Sequence, residues 1–173
     1  MAKDTGFDRA LSTKPGFAPA LVGKARVSLA RGQPAAAVPL LEQAFAQSPL
    51  AENAGLLADA RRLAGDASGA AAAERELFRH GRGGDGRTLS LYLSTHDRDA
   101  DEALALAEAE TRIRDDIYSE DAFAWALYRK GRLREARAAS ERALALNPGF
   151  DPTGAAEARA LLAASERRLA GAL

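Results

Sequence analysis

The sequence predicts an all-α fold built from short antiparallel helix pairs. Three observations predict it. Only 6% of the 173 residues are aromatic, alanine and leucine dominate, and no β-branched run is long enough for a strand. Apolar residues recur at steps of three and four between breaks, the period of one helix face. The breaks themselves recur every 33 residues. The clearest unit is 121–148. Phe123, Trp125, Leu127 and Tyr128 lie on a first helix, and Gly131 breaks it. Leu133, Ala136, Ser140, Ala143 and Leu144 mark one face of a second helix, which Asn147-Pro148 ends.

Stepping back by 33 from Gly131 reaches Arg98, Gly65 and Gly32. Five residues beyond each turn the same step gives Ala136, Ala103, Ala70 and Ala37, where a small side chain lets the second helix approach the first. Position eight of each unit is Ala25, Ala58, Leu91 and Ala124. Near the end of each second helix stand Phe45, Phe78, Thr111 and Leu144. Helix pairs are therefore expected at 18–31 and 35–47, 51–64 and 67–80, 87–96 and 99–113, and 119–130 and 133–147. They fill four units at about 18–50, 51–83, 84–116 and 117–150. Residues 1–17 read as a partial repeat or cap, because Phe7, Ala10, Leu11 and Pro15 fall where a second helix should end. Pro15-Gly16-Phe17 repeats as Pro148-Gly149-Phe150. Residues 151–173 read as a capping helix. Asp151 stands at its N-cap, and Ala158, Leu161, Leu162, Ser165 and Leu169 form one face. The chain is thus expected to start inside a repeat, as a fragment or a degenerate cap would.

Composition excludes several functions. Lys plus Arg and Asp plus Glu number 24 each, so there is no basic excess for bulk binding to nucleic acid or acidic membranes. The absence of cysteine excludes disulfides, thiol catalysis and cysteine-held metals. No apolar run is long enough to insert in a membrane. The N-terminus lacks an apolar leader core, which fits the cytoplasm, or the periplasm after removal of a leader.

A unit of 33–34 residues with small residues at positions eight and 20 and proline at 32 resembles the tetratricopeptide repeat. Unit four carries Ala124, Leu127, Gly131, Leu133, Ala136, Ala143 and Pro148; unit one carries Ala25, Gly32, Ala37, Ala44 and Pro49. Unit three departs, with Arg98 in place of glycine and Glu110 in place of a small residue. The stretches from Leu91 to Asp99 and from Asp116 to Gly131 look like bacterial tetratricopeptide proteins of mostly unassigned role. The resemblance, over about residues 7–150, implies a right-handed solenoid of helix pairs whose first helices line a concave groove. It implies a non-enzymatic module without cofactor that binds a protein or peptide. The alternative is a structural or self-associating segment of a larger assembly. Carried over residue by residue, the groove holds Arg26, Asp59, Arg62, Tyr92, Asp121, Trp125 and Tyr128, with Val22, Leu29, Glu52, Thr88, Thr95 and Tyr118 beside them. Aromatic residues and arginine suit peptide capture. Equally, Trp125 and Tyr128 could pack between helices.

Other motifs carry less. Asp97, Asp99, Asp101 and Glu108 take four positions of a calcium loop, but Glu102 occupies the place of its required glycine. Residues 81–86 satisfy G-x-G-x-x-G without the preceding strand that a dinucleotide site needs. With Arg79, Arg82 and Arg87 that loop could attract an anion at the next helix N-terminus. His80 and His96 lie 16 residues apart at helix ends, outside any metal motif. Ser90, Ser94 and Ser119 lack a nucleophile elbow.

Overall fold

Left-handed turns and aspartate caps set the helix boundaries. The computed structural model describes residues 5–146 and 152–171, which form ten α-helices. Two compact units divide at Gly83 and Gly84. In the first unit α1 (Thr5–Thr13) precedes the pairs α2 (Ala18–Ala30) with α3 (Pro34–Gln47) and α4 (Ala51–Leu63) with α5 (Ala67–Arg82). The second holds α6 (Gly86–Thr95) with α7 (Ala100–Thr111), α8 (Ile117–Arg129) with α9 (Leu133–Leu146), and α10 (Pro152–Ala170). Helices adjacent in sequence pack as pairs. The boundaries expected from spacing agree to within two residues. Asn147, Pro148, the second Pro-Gly-Phe and the Asp151 cap lie outside the described residues.

Three of the pairs turn through one left-handed glycine. Gly32, Gly65 and Gly131 have φ of 69°, 85° and 74°. In each case the next N–H reaches back over the helix end: Gln33 to Ser28 C=O, Asp66 to Arg61 and Arg132 to Leu127, all at 2.9 Å. The third pair corrects the expected register. The equivalent bond runs from Arg98 N–H to Leu93 C=O at 2.9 Å, so the left-handed residue is Asp97 (φ 54°) and not Arg98. Aspartate tolerates this backbone better than arginine, because its short polar side chain bonds locally. Asp99 (φ 33°) is a second left-handed residue in this turn, which is one residue longer than the others. Position eight of the third unit therefore moves from Leu91, half-buried, to Ser90, fully buried.

That shift completes a pattern. Ala25, Ala58, Ser90 and Ala124 on the first helices are all 0% exposed, and Ala37, Ala70, Ala103 and Ala136 on the second helices at most 3%. In the third pair Ser90 Oγ donates to Ala103 C=O at 2.7 Å, which satisfies the one polar member of the set. Leu41, Leu57 and Ala73 extend the first unit's core; Leu127, Ala139 and Leu161 extend the second's. Leu161 and Ser165 form the buried face of α10, which packs on α8 and α9. The side chains of Ala158 and Leu162 lie outside the described residues. α1 reaches α2 through Phe7, whose ring lies where a Gly23 side chain would be.

Aspartate side chains cap four helices. Asp66, Asp85, Asp99 and Asp116 accept from the N–H groups of Gly69, Thr88, Glu102 and Ser119 at 2.8–3.2 Å. α2 and α3 instead begin with proline in their first turn, where no N–H is missed. Pro39 lies inside α3 on its exposed side, as does Ala35, whose carbonyl loses its usual partner. The irregular stretch expected at 81–86 shrinks to residues 83–85, because α5 continues to Arg82. Glu120, nearly buried, ties α8 to α9 through two bonds from Arg142 at 3.0 and 2.8 Å.

Two outcomes test this scheme. A Cβ at Gly131 would meet no atom within 4 Å, so the cost of Gly131→Ala is backbone strain alone, about 1–2 kcal/mol in urea unfolding followed by circular dichroism. Asp97→Gly should cost less, since relief of strain offsets the lost ion pair to Arg129; equal losses at the two sites would contradict the register. The second concerns Asp66, whose carboxyl the Gly69 N–H, the Ser68 hydroxyl and Arg61 hold below its ordinary value of 3.8. A depressed folded-state pKa gives stability that is present above that value and lost as pH falls through and below it. Asp66→Ala should lower the melting temperature at neutral pH, and the difference should narrow below about pH 4.

Candidate functional site

In the first unit the expected groove residues satisfy one another. Arg26 on α2 pairs with Glu52 on α4 at 2.5 Å. Arg62 bridges Asp59 at 2.7 Å and Glu74 on α5 at 3.0 Å. Glu52, Asp59 and Arg62 follow at steps of seven and three, which puts them on one face of α4. These partly exposed pairs contribute little stability each. They leave these positions polar and charge-matched.

The second unit differs. Tyr118, Asp121, Trp125, Tyr128 and Arg129 recur at steps of three, four and one, so they share a single stripe of α8. The rings of Trp125 and Tyr128 stack with centroids 5.4 Å apart and planes 12° from parallel. Both are half-buried against Ala124, Leu127 and Leu161, so each packs on the core with one part and meets solvent with the rest. Trp125 Nε1 donates to Thr95 Oγ1 on α6 at 3.4 Å. Tyr118 is 47% exposed.

A guanidinium lies over each ring of the stripe. Arg87 of α6 stands 5.4 Å from the Tyr118 centroid, Arg129 stands 5.9 Å from Trp125, and Arg168 of α10 stands 4.8 Å from Tyr128. Arg129 also pairs with Asp97 at 2.5 Å, which joins the stripe to the left-handed turn. The 33-residue step could not find Arg168, because it lies on the helix outside the repeats. Arg87 directly follows the glycine-rich segment, where the sequence suggested an anion site.

Tyr92 departs from its expected place. It is 7% exposed and stacks on His96 at 4.1 Å, so it offers a partner almost no surface. The one-residue shift explains this, since the step that placed Tyr92 in the groove counts from the wrong turn residue.

The remaining motifs separate. Asp97, Asp99, Asp101 and Glu108 engage Arg129, the Glu102 N–H, Lys130 and Arg112 respectively. Among the described residues no three acidic or histidine side chains converge as metal ligands. Gly81 and Gly86 lie in helices, and the Asp85 carboxylate caps the α6 N-terminus. Arg79 pairs with Glu76, and Arg82 lies over Phe78. His80 Nε2 lies 2.9 Å from Arg79 Nη2. Ser90, Ser94 and Ser119 are buried in helices. Among the described residues no helix is long and apolar enough to cross a membrane. Neither a protein-family model nor a curated protein matches this chain.

Proposed function

We propose that the chain is a non-enzymatic binding module of the tetratricopeptide kind. Its first helices line a concave groove that takes a peptide or protein segment. The observation that carries this reading is the stacked, half-exposed Trp125–Tyr128 pair on α8, flanked by arginines. Such a surface buries large area on binding, with few rotors to freeze. The helix pairs and their small-residue crossings support the repeat reading, because a pair with one apolar face needs neighbours to cover it.

A second reading, self-association of a structural segment, draws on the other end of the chain. α1 packs chiefly on α2 and leaves Phe7 and Phe17 more than one-third exposed. Phe17 lines a shallow hollow of about 370 Å³ together with Gly6, Arg9, Ala10, Thr13 and Lys14. Sedimentation equilibrium separates the two. Self-association through this end gives dimers that Phe17→Asp dissociates, whereas the binding module stays monomeric.

Affinity capture read by mass spectrometry tests the first reading. Trp125→Ala should deplete the captured partner about tenfold or more while the helical circular dichroism is unchanged. Arg62→Glu, which breaks two ion pairs, should weaken capture less. Arg134→Glu on the exposed side of α9 should leave it intact. Loss with Arg134→Glu and not with Trp125→Ala would place the binding surface elsewhere.

A further inference from the structure

We infer that the α8 stripe takes an acidic, extended peptide segment with two carboxylates about four or five residues apart. This rests on the binding-module reading and adds the chemistry of the occupant. Three guanidinium groups lie over the three aromatic rings, and their ionic states differ. Arg129 is matched by Asp97. Arg87 and Arg168 meet Tyr118 and Tyr128 but no carboxylate among the described residues. The Nε of Arg87 is buried and lacks a hydrogen-bond partner.

A cation held over a ring is positioned, and its charge remains available to an incoming anion. The two unmatched cations stand at the two ends of the stripe. Tyr118 and Tyr128 are ten residues apart on one helix, about 15 Å at 1.5 Å per residue. An extended peptide covers that distance in roughly four to five residues at about 3.3 Å each. Between the ends lie Asp121 and the exposed part of Trp125, both half-buried. Trp125 offers a flat apolar surface at the middle of the segment. The fitting segment is acid at both ends and apolar at the centre. The first unit carries no comparable array, because Arg26 and Arg62 are already matched by Glu52, Asp59 and Glu74.

Trp125 is the single tryptophan, so its emission reports this site directly. The probes are synthetic peptides with two glutamates at variable spacing around a central leucine. Controls replace both glutamates by lysine or by glycine. The expected result is saturable change in Trp125 emission with the glutamate peptides, strongest at a spacing of four or five, and weakened by salt. Arg87→Gln and Arg168→Gln should each lower affinity about tenfold, with unchanged circular dichroism. Arg134→Gln should leave it unchanged. Equal binding of the lysine or glycine peptides, or indifference to both arginine substitutions, overturns the acidic specificity and leaves the binding-module reading standing. Silence from every peptide, with partner capture still lost in Trp125→Ala, overturns this proposal alone. Silence together with capture that ignores Trp125 overturns both. An emission change that follows protein concentration without peptide assigns the stripe to a second copy and also overturns it.

Discussion

Everything in this chain depends on how closely the two helices of a pair approach. Helix axes come within the short end of the usual 8–10 Å range only where small side chains face each other. Ala25 with Ala37, Ala58 with Ala70, Ser90 with Ala103 and Ala124 with Ala136 are buried at equivalent positions of the four pairs. A single larger residue there would force the helices apart and open voids beside Leu41, Leu77, Leu93 and Leu127, all essentially fully buried. The left-handed turns serve the same end. A turn of fixed length fixes which residues of the two helices face each other, so turn chemistry and the small-residue stripe are one constraint.

That constraint explains what was legible. Glycine and alanine at a fixed step reveal helix, turn and crossing together, and the helix starts at Ala18, Ala51 and Leu133 follow from it directly. The third turn was misread because the step assumes constant turn length. Asp97 and Asp99 do in two residues what Gly32, Gly65 and Gly131 do in one. The longer turn moves α6 by one residue against the pattern while α7 stays in place. Every inference carried onto α6 by counting inherits the slip, and Tyr92 is the residue that shows it. On α8 the turn residue is Gly131, as the step expects, and Tyr118, Asp121, Trp125 and Tyr128 share one helix face by their spacing. Arg168 was out of reach for a different reason. Its ring partner is 40 residues earlier, and that contact depends on how α10 lies on α8 and α9.

The expected groove residues of the two units then differ in how they are satisfied. In the first unit they match charge with charge across α2, α4 and α5. Such pairs are exposed and weak, but they leave little for a partner to gain, since each new contact would have to replace an existing one. The second sets cations over aromatic faces. Those contacts leave donors unused and apolar area uncovered, and both are needed for recognition. Equal numbers of acids and bases in the whole chain conceal this asymmetry.

The strained turn and the aromatic stripe are also joined. A non-glycine residue with left-handed backbone persists only where its surroundings hold it. Asp97 is held by Arg129 of the next pair, and the guanidinium of Arg129 lies over Trp125. Thr95, two residues before Asp97, accepts from the Trp125 ring nitrogen. The turn therefore fixes the indole from two sides, through the Thr95 hydroxyl at its edge and Arg129 at its face. Glycine at position 97 would relieve the backbone and release Arg129. The longer turn of the third pair, a departure from the repeat when read as packing, has a role when read as support for Trp125. It exchanges the ease of a glycine turn for a side chain that orients the indole at the centre of the stripe.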